Sequence, residues 1–340
     1  MDDATLRSEH HFFALGIDVG KDSLELALLT PQNELRKKSV RNSASGFKVL
    51  MNWLNRWAGP VEGDPASPGV RACLEASGGY EEAAALFLHE QGVYVSVVNP
   101  RQTKSYAGVR LQRSKTDPAD AALLARYCQR EEPPAWEPPT EAERRLRQLT
   151  RGLQSLKDER DRTRNKRNRA ENETVTAALD AVLDTLSDQI GTLERRIETY
   201  VAQNAELKRQ TDLLVTIPGI GSQTAATVLA ELGDVTRFES ARAVAAFAGL
   251  TPSHHSSGTS VRRRTRLSKL GNWRLRKALF FPAMVAMRHN EVVRTFAGRL
   301  LDRGKAKMAV VGASMRKLLH ICYGVLRNGQ AFNPSLHIAS

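Results

Sequence analysis

The sequence predicts an α/β domain followed by a mainly helical region. Over residues 10–130, short apolar runs with strand periodicity alternate with segments of helical periodicity. The segment REEPPAWEPPT (130–140) then places four prolines in eleven residues, which is typical of a linker. Beyond it, apolar residues recur at helical spacing. We therefore predict a linker at 131–140 and two helical regions, at 141–211 and 212–330.

The N-terminal region has the predicted element order β-β-β-α-β-α-β, followed by one more helix. Alternating apolar residues and short turns predict antiparallel strands first. These strands cover residues 11–20, 23–30 and 34–42. The next elements are the helix FKVLMNWLNRW, the strand VRACLEA (70–76), a helix ending at Gly92, the strand YVSVVNP (94–100) and a helix that starts at Asp117. This order predicts a mixed sheet with helices packed against it.

Positive charge is concentrated in the C-terminal third of the chain. The 340 residues carry a formal charge of +13, yet residues 262–317 alone hold 16 Lys and Arg against two acids. Such a surface favours a polyanionic partner, with nucleic acid first and an anionic membrane second. We expect no membrane association, because apolar runs such as ALFFPAMVAM are too short to span a bilayer.

The N-terminus and the cysteines indicate a cytoplasmic protein. MDDATLRSEHH lacks the positively charged start and the apolar segment of a signal peptide. Cys73, Cys128 and Cys322 are odd in number and widely separated. We expect them to be small buried residues in a reducing compartment, not disulfides or zinc ligands.

Four acidic residues are candidates for a metal site. Asp18 and Glu75 lie near the ends of two predicted strands, and SKTDPADAALLARY places Asp117 and Asp120 at a helix start. The spacing of three puts these two carboxylates on one helix face. Four converging carboxylates would repel each other unless a hard divalent cation such as Mg²⁺ binds them. A helix cap followed by proline explains Asp117 equally well, and one residue can serve as cap and ligand.

The region 141–211 has an apolar stripe typical of paired helices. Leu146, Leu149, Leu153 and Leu156 follow spacings of three and four, and a second run extends from Leu186 to Leu207. Two antiparallel helices within the chain and an intermolecular coiled coil both produce this pattern. A solvated helix packed on its own domain along one stripe is a third explanation.

Two further segments are candidates for contacts with nucleic acid. In LLVTIPGIGSQTAATVLAEL, Gly219 and Gly221 form a turn that is similar to a helix-hairpin-helix motif, whose backbone amides accept a phosphate. An ordinary interhelical turn would look the same. The second segment, AGLTPSHHSSGTSVRRRTRLSKLGNWRLRKALF, carries a cluster of basic residues: Arg262, Arg263, Arg264, Arg266, Lys269, Arg274, Arg276 and Lys277.

The serines before this cluster are candidates for a nucleophile. Ser256 and Ser257 precede Gly258, whose flexibility would let the backbone approach a DNA strand. A serine hydroxyl needs activation and stabilisation of the attacked phosphate, which arginines or metal ions supply. A plain flexible loop is the competing interpretation.

The motifs together resemble a known family. GIDVGKDSLELAL, CLEASGGY, KTDPADAALLARY, IPGIG and AGLTP…SSG…RRRTRLSKLGNWRLRKAL occur in the order found in the insertion-sequence one-ten family of DEDD transposases. These are also described as bridge-RNA-guided serine recombinases and are related to the pilin-gene invertase. The resemblance covers residues 12–325.

The resemblance implies a fold, a site and partners. The fold would be α/β + α: a RuvC-like (RNase H-fold) domain, a coiled-coil connector and a mainly helical transposase domain. Asp18, Glu75, Asp117 and Asp120 match the Mg²⁺-binding tetrad, and Ser257 matches the serine that forms a covalent phosphoserine link to DNA. Ser256 leaves this match ambiguous by one position. The implied partners are donor and target DNA, a structured bridge RNA and further copies in a dimer or tetramer, on the nucleoid of a prokaryotic cell.

Other classes of protein share some of these features. A RuvC-type structure-selective nuclease would use the same acids with water as nucleophile. An actin-like ATPase or sugar kinase would also have the Asp18-Val19-Gly20 turn, but it requires a second α/β half. A non-enzymatic nucleic-acid-binding protein explains the basic segment and leaves the four acids unexplained.

Overall fold

The computed structural model describes residues 12–60, 69–109, 117–253, 256–257, 261–262 and 266–335. The chain divides into two compact units, Met1–Pro138 and Pro139–Ser340. The division falls inside the segment predicted to be a linker. Each unit has its own core and is described separately.

The first unit contains every element predicted for it and one additional helix. The strands are β1 Phe13–Val19, β2 Ser23–Leu29, β3 Leu35–Arg41, β4 Val70–Glu75 and β5 Tyr94–Val98. The helices are α1 Ala44–Ala58, α2 Glu82–Glu90, α3 Pro100–Val109 and α4 Asp117–Glu131. The additional helix is α3, whose sequence PRQTKSYAGV is polar and has no apolar stripe. Its polar composition is the reason why periodicity did not predict it.

The strands of the first unit form one mixed sheet. Among the described residues the strand order is β3-β2-β1-β4-β5. The pairs β1–β2 and β2–β3 are antiparallel, whereas β1–β4 and β4–β5 are parallel. The sequence prediction of a mixed sheet is confirmed. The parallel pair β1–β4 lies at the centre, so the carboxyl ends of these two strands meet at one edge of the sheet.

Alternation along β1 separates two apolar layers. Leu15 and Ile17 point to the side covered by α1 and α2. Ala14 and Gly16 point to the other side, where α4 packs through Leu124 and its neighbours. A strand buried on both faces has apolar residues at successive positions, as β1 does.

The proline-rich segment runs along the edge strand β5. The Trp136 amide donates to the Val95 carbonyl at 2.7 Å, and the Ser96 hydroxyl donates to the Pro133 carbonyl at 2.9 Å. Trp136 also packs against the apolar core. The first part of the predicted linker therefore covers the open edge of the sheet, which prevents strand pairing with another chain.

The second unit is mainly helical. Its helices are α5 Glu141–Arg167, α6 Glu173–Gln203, α7 Ala205–Val215, α8 Ser222–Leu232, α9 Ala241–Phe247, α10 Trp273–His289, α11 Glu291–Asp302 and α12 Lys307–Asn328, with a 3₁₀ turn at Val235–Arg237. The described residues between α9 and α10 include the two-residue strands β6 Pro252–Ser253, β7 Ser256–Ser257, β8 Val261–Arg262 and β9 Arg266–Leu267. The described part of this unit contains no second α/β half, so the ATPase alternative is wrong.

The predicted coiled-coil stripe packs inside the chain. α5 and α6 form an antiparallel hairpin, in which Lys157 pairs with Glu194 at 2.8 Å and Arg167 pairs with Asp180 at 2.9 Å. Ile190 and Ile197, which belong to the apolar stripe, are 4% and 3% exposed within the core of the unit. Of the alternatives that the pattern left open, the structure shows two antiparallel helices of one chain. An intermolecular role for these two isoleucines is wrong.

Helix α12 forms the centre of this core. By length and apolar composition it could cross a membrane, and the sequence reasoning overlooked it. However, Leu318, Leu319 and Cys322 are fully buried in the core that the helices of this unit share. α12 is therefore explained as the core helix of a globular domain. The three cysteines are buried, as predicted.

Candidate active site

Asp18 and Glu75 lie side by side on adjacent parallel strands. Ile17 of β1 is in register with Leu74 of β4, and the two acids are the next residues on their strands. Neighbouring strands are about 4.8 Å apart, and residues in register share a face. That face is covered by α4, because Gly16, two residues before Asp18, lies directly under this helix. The sheet thus joins two half-buried acids that are distant in sequence.

Gly16 determines how closely α4 approaches the sheet. A Cβ atom at this position would overlap the backbone carbonyl of Ala121 and the backbone amide of Ala125. Asp120, which precedes Ala121, is half-buried. Asp117 is the first residue of α4, and its side chain lies outside the described part of the structure. A glycine in β1 is therefore what lets the start of α4 lie against the strand.

The direction of α4 places its two acids at the edge of the sheet where Asp18 and Glu75 lie. Ala121 lies over Gly16, whereas Cys128, two turns later, contacts the Arg71 carbonyl through its thiol at 3.5 Å. Arg71 is in register with residue 14, near the start of β1. α4 therefore runs antiparallel to β1, and its first turn is at the carboxyl end of that strand.

A buried threonine orients one of the carboxylates. The Thr103 hydroxyl, on α3, donates to Glu75 Oε2 at 2.7 Å. Thr103 is 2% exposed, so water cannot replace this bond easily. No sequence pattern pointed to Thr103, since α3 itself was not predicted.

The acids have the chemistry of a site for a hard cation, but the described ones are not assembled into one. Carboxylate oxygens are the ligands that Mg²⁺ prefers. Within the described residues, no three His, Cys, Asp or Glu side chains are close enough together to hold a metal ion. The Asp117 carboxylate is outside that set. Asp18, Glu75 and Asp120 share one face and one edge of the sheet, but these three described side chains are not close enough together to hold a metal ion.

Ser256 and Ser257 form the two-residue strand β7. In the second unit, β7 pairs with β8, so that Ser257 is in register with Val261. Closer to the helices, β6 pairs with β9. The antiparallel pair β7–β8 is called the serine hairpin below. Outside the described residues lie Gly258, Arg263 and Arg264, and the side chains of Ser256, Ser257, Arg262 and Arg266.

Packing against α10 explains one of the two glycines in the turn before α8. Gly219 has φ +106°, and a Cβ there would lie 2.9 Å from the Ala286 Cβ of α10. Close packing against α10 therefore requires a glycine, without any ligand. Gly221 is exposed and forms the N-cap of α8 without a side-chain hydrogen bond. The start of α8 is the part of the turn that is open to a phosphate.

Two of the predicted contact residues have partners inside the unit. Arg276 donates to the carbonyls of Ala248 and Gly271 at 2.9 and 3.1 Å. Lys277 forms an ion pair with Asp158 of α5. Arg276 and Lys277, which were predicted to contact nucleic acid, thus form bonds that stabilise the fold of this unit.

Two other predicted contact residues lie at the surface near the hairpin. Lys269 is exposed, and the Arg274 guanidinium lies 4.8 Å from the ring centre of Trp273, which is 46% exposed. Trp273 was not among the sequence candidates. A cation stacked on an exposed aromatic ring is a common contact surface for nucleic acid.

A buried ion pair supports the start of α10. Arg151 donates to both carboxylate oxygens of Glu231 at 2.8 and 3.1 Å, and the Asn272 amide donates to Glu231 at 2.7 Å. Asn272 also caps α10 by accepting from the Leu275 amide at 3.0 Å. Burial alone would raise the pKa of Glu231, but the hydrogen bonds from Arg151 and Asn272 hold it below its usual range. The sequence did not single out Glu231.

Two family models match the chain. A model of DEDD transposases of the IS110 type matches residues 15–173, and a model of transposases of the IS116/IS110/IS902 family matches residues 211–297. The first match contains the four acids, and the second contains the glycine turn and the serine hairpin. Both halves of the sequence therefore match the same family.

Known bacterial proteins are similar over almost the whole chain. The pilin gene-inverting proteins of Moraxella lacunata and Moraxella bovis are each 33% identical over 326 residues, which is 95% of this chain and 98% of each relative. An uncharacterized 43.6 kDa protein of insertion element IS110 from Streptomyces coelicolor is 31% identical over 164 residues, or 47% of this chain and 40% of the relative.

These similarities decide between the classes that the sequence left open. The term serine recombinase, used with the resemblance, is wrong as a class name, because both matches are to the transposase family with DEDD acids. A purely non-enzymatic DNA-binding protein is also excluded, because transposases transfer DNA strands. The chain belongs to the IS110 family of DEDD transposases, which are DNA strand-transfer enzymes.

Proposed function

We propose that this chain is the transposase of an insertion sequence and that it cuts DNA with Mg²⁺ held by Asp18, Glu75, Asp117 and Asp120. The observation that carries the proposal is the register of Asp18 and Glu75 beneath the first turn of α4. Such a gathering of acids does not help the fold, since like charges destabilise each other. It is useful when the residues bind a cation.

The four acids Asp18, Glu75, Asp117 and Asp120, at the carboxyl ends of β1 and β4, are called the acidic edge. They would orient a phosphodiester. Bound Mg²⁺ would stabilise the charge that develops on the attacking and leaving oxygens. Thr103 would keep the Glu75 carboxylate in one orientation, because its hydroxyl is buried and bonded to Oε2. Support of this kind around a metal ligand commonly changes metal affinity or activity by about 10- to 100-fold.

Ser257 is the proposed nucleophile. Its hydroxyl oxygen would attack the phosphorus, the O3′ atom would leave as the strand breaks, and a 5′-phosphoserine would form. A 3′-hydroxyl of another strand would then attack this ester and release the serine, so the energy of the phosphodiester is conserved. Support comes from the family pattern and from the backbone pairing of Ser257 with Val261 in the serine hairpin.

The proposed partners are donor DNA, target DNA and a structured bridge RNA encoded by the element. The supporting observation is the positive charge of residues 262–317, which hold 16 basic residues and two acids. The exposed Trp273 and the half-buried Arg274 belong to this region. The proposed location is the bacterial cytoplasm, on the nucleoid.

Assembly into dimers or tetramers is also proposed, with a surface other than the one first predicted. On the first half of α6, Val175 and Val182 are 49% and 47% exposed, and Leu179 and Leu186 are half-buried. Their spacing of four, three and four is that of coiled-coil core positions. A second copy of this helix is the partner that such a stripe fits.

The test of the nucleophile is a covalent trap. The protein would be incubated with Mg²⁺ and a plasmid that carries its own element with flanking DNA, and then denatured. We expect a protease-sensitive protein–DNA adduct with the parent protein and with Ser256→Ala, and none with Ser257→Ala. The reverse pattern would identify Ser256 as the nucleophile. An adduct with both variants would show that neither serine is the nucleophile.

A structure-selective nuclease that uses water is the second candidate. It is favoured by the same acidic edge, which needs no serine for hydrolysis. In that case the plasmid would be cut by both serine variants at the parent rate, and cleavage would leave no adduct. The trap therefore separates the two candidates.

A further inference from the structure

Tyr80 is an exposed aromatic residue at the rim of the acidic edge. It follows β4 by five residues, and its side chain is 51% exposed. The side-chain nitrogen Nδ2 of Asn42 donates to the Gly20 carbonyl at 3.0 Å and to the Tyr80 carbonyl at 3.1 Å. Because one nitrogen bonds both oxygens, the two carbonyls lie within about 6 Å of each other. Gly20 is two residues after Asp18, so Tyr80 is tied to the end of the strand that carries this acid.

The loop that presents Tyr80 is held in one conformation. A single oxygen of Glu81 accepts hydrogen bonds from the Ser77 amide, the Ser77 hydroxyl and the Gly79 amide at 3.0, 2.9 and 2.8 Å. Gly78 and Gly79 have φ +85° and +122°, a region that side chains rarely adopt. The conformation of the turn between Glu75 and Tyr80 therefore depends on its own glycines and on Glu81, and not on packing against the core.

The mechanism does not use this tyrosine, and the fold does not bury it. A rigid aromatic ring beside a phosphodiester site is suited to stack on a nucleobase, because every base offers a flat π-face. Bases next to a strand break are unpaired during strand exchange. An aromatic ring compensates for the stacking that such a base loses.

We infer that Tyr80 is a stacking platform for an unpaired nucleobase of the strand whose phosphate lies at the acidic edge. The inference rests on the proposed function, since it assumes a nucleic-acid strand at Asp18 and Glu75. It assigns a ligand class, a single-stranded base of any identity, to a residue outside the acidic tetrad. Stacking on one aromatic residue changes the affinity for single strands by roughly ten- to a hundredfold.

Photo-crosslinking tests the position directly. The full chain would be bound to a single-stranded oligonucleotide of about 20 nucleotides containing 5-iodouracil, irradiated and digested. We expect a crosslinked peptide that contains Tyr80. Bound oligonucleotide with crosslinks to other aromatic residues and none at Tyr80 would overturn the inference and leave the proposed function standing.

Affinity measurements provide the matched comparison. Tyr80→Leu keeps the apolar bulk and removes the ring, whereas Tyr80→Phe keeps the ring. At elevated salt, which weakens phosphate contacts elsewhere, Tyr80→Leu should bind the single strand roughly tenfold more weakly and Tyr80→Phe as tightly as the parent. A fully paired duplex of the same length should bind equally to all three. Equal single-strand binding by Tyr80→Leu would contradict the inference, and a parent that binds no nucleic acid would contradict the proposed function itself.

Discussion

The Thr103 hydroxyl donates a hydrogen bond to Glu75 Oε2 at 2.7 Å, across the gap between α3 and β4. Thr103→Val removes the hydroxyl with little change in volume. We expect the Mg²⁺ concentration for half-maximal DNA cleavage to rise about tenfold or more, because Glu75 would lose its fixed orientation. The measurement is a Mg²⁺ titration of plasmid cleavage.

Thr150→Val is the control for this variant. Thr150 is equally buried but lies in the second unit, where its hydroxyl donates to the Arg147 carbonyl at 3.2 Å. It should cost a similar stability of about 1 kcal/mol and leave the Mg²⁺ titration unchanged. If both valine variants titrate like the parent, Thr103 does not position the carboxylate.

Gly16→Ala should destabilise the first unit and abolish cleavage. The added methyl group would overlap the backbone of α4 at Ala121 and Ala125, which has no flexible side chain to move aside. Overpacking of this kind costs about 1–3 kcal/mol or more. Gly191→Ala on α6 is the matched substitution, because a Cβ there meets nothing within 4 Å. It should be neutral or stabilise by up to about 1 kcal/mol in thermal unfolding. A Gly16→Ala protein with the parent's melting temperature would contradict the close approach of α4.

The two halves of α6 should respond differently to charge. Val175→Asp with Val182→Asp should leave the fold intact and lower the association state in sedimentation, because both residues are about half exposed. Ile190→Asp with Ile197→Asp should instead unfold the second unit, because each aspartate would be buried without a partner. A valine double variant that sediments like the parent would show that this stripe is not an interface.

Glu231→Gln should lower the stability of the second unit at neutral pH by about 2–3 kcal/mol, because Arg151 loses its charged partner. The pKa of Glu231 is held below its usual range in the folded state. The stability that the ionised Glu231 contributes is therefore present above the pKa of this residue in the unfolded chain, near 4.5. It is lost as the pH falls through the lower pKa of the folded state.

The measurement is the free energy of unfolding of both proteins from pH 7 to pH 3. The difference between parent and Glu231→Gln should shrink below pH 4.5. Glu239→Gln, at an exposed position, should differ little from the parent at any pH. A difference between parent and Glu231→Gln that does not change with pH would contradict the ion pair.

The first unit was predictable because its signals are local. Each strand has its own apolar pattern, and the glycine, proline and asparagine residues between them mark the turns. The acids at 18 and 75 could be placed at strand ends by the same patterns, and the parallel pairing of β1 with β4 then brings them together.

Residues whose role depends on distant partners could not be predicted. Thr103 and Asn42 act through bonds to Glu75 and Tyr80, and nothing near them in sequence indicates those contacts. The apolar period of α6 is the same whether its partner is α5 or another chain, so periodicity alone could not choose. The strands around Ser257 have two residues each, which is too short for an alternating pattern.

Iron-directed cleavage of the protein backbone tests the central claim, that the acidic edge binds a divalent cation, without requiring the DNA substrate. With hydrogen peroxide as oxidant and ascorbate to regenerate Fe²⁺, iron bound in the site generates hydroxyl radicals that cut the nearby chain. We expect cuts close to residues 18, 75 and 117–120, suppressed by excess Mg²⁺ and absent in Asp18→Asn. The variant Asp184→Asn, at an exposed acid of α6, should cut like the parent. Cuts that fall elsewhere, or that persist in Asp18→Asn, would contradict the account.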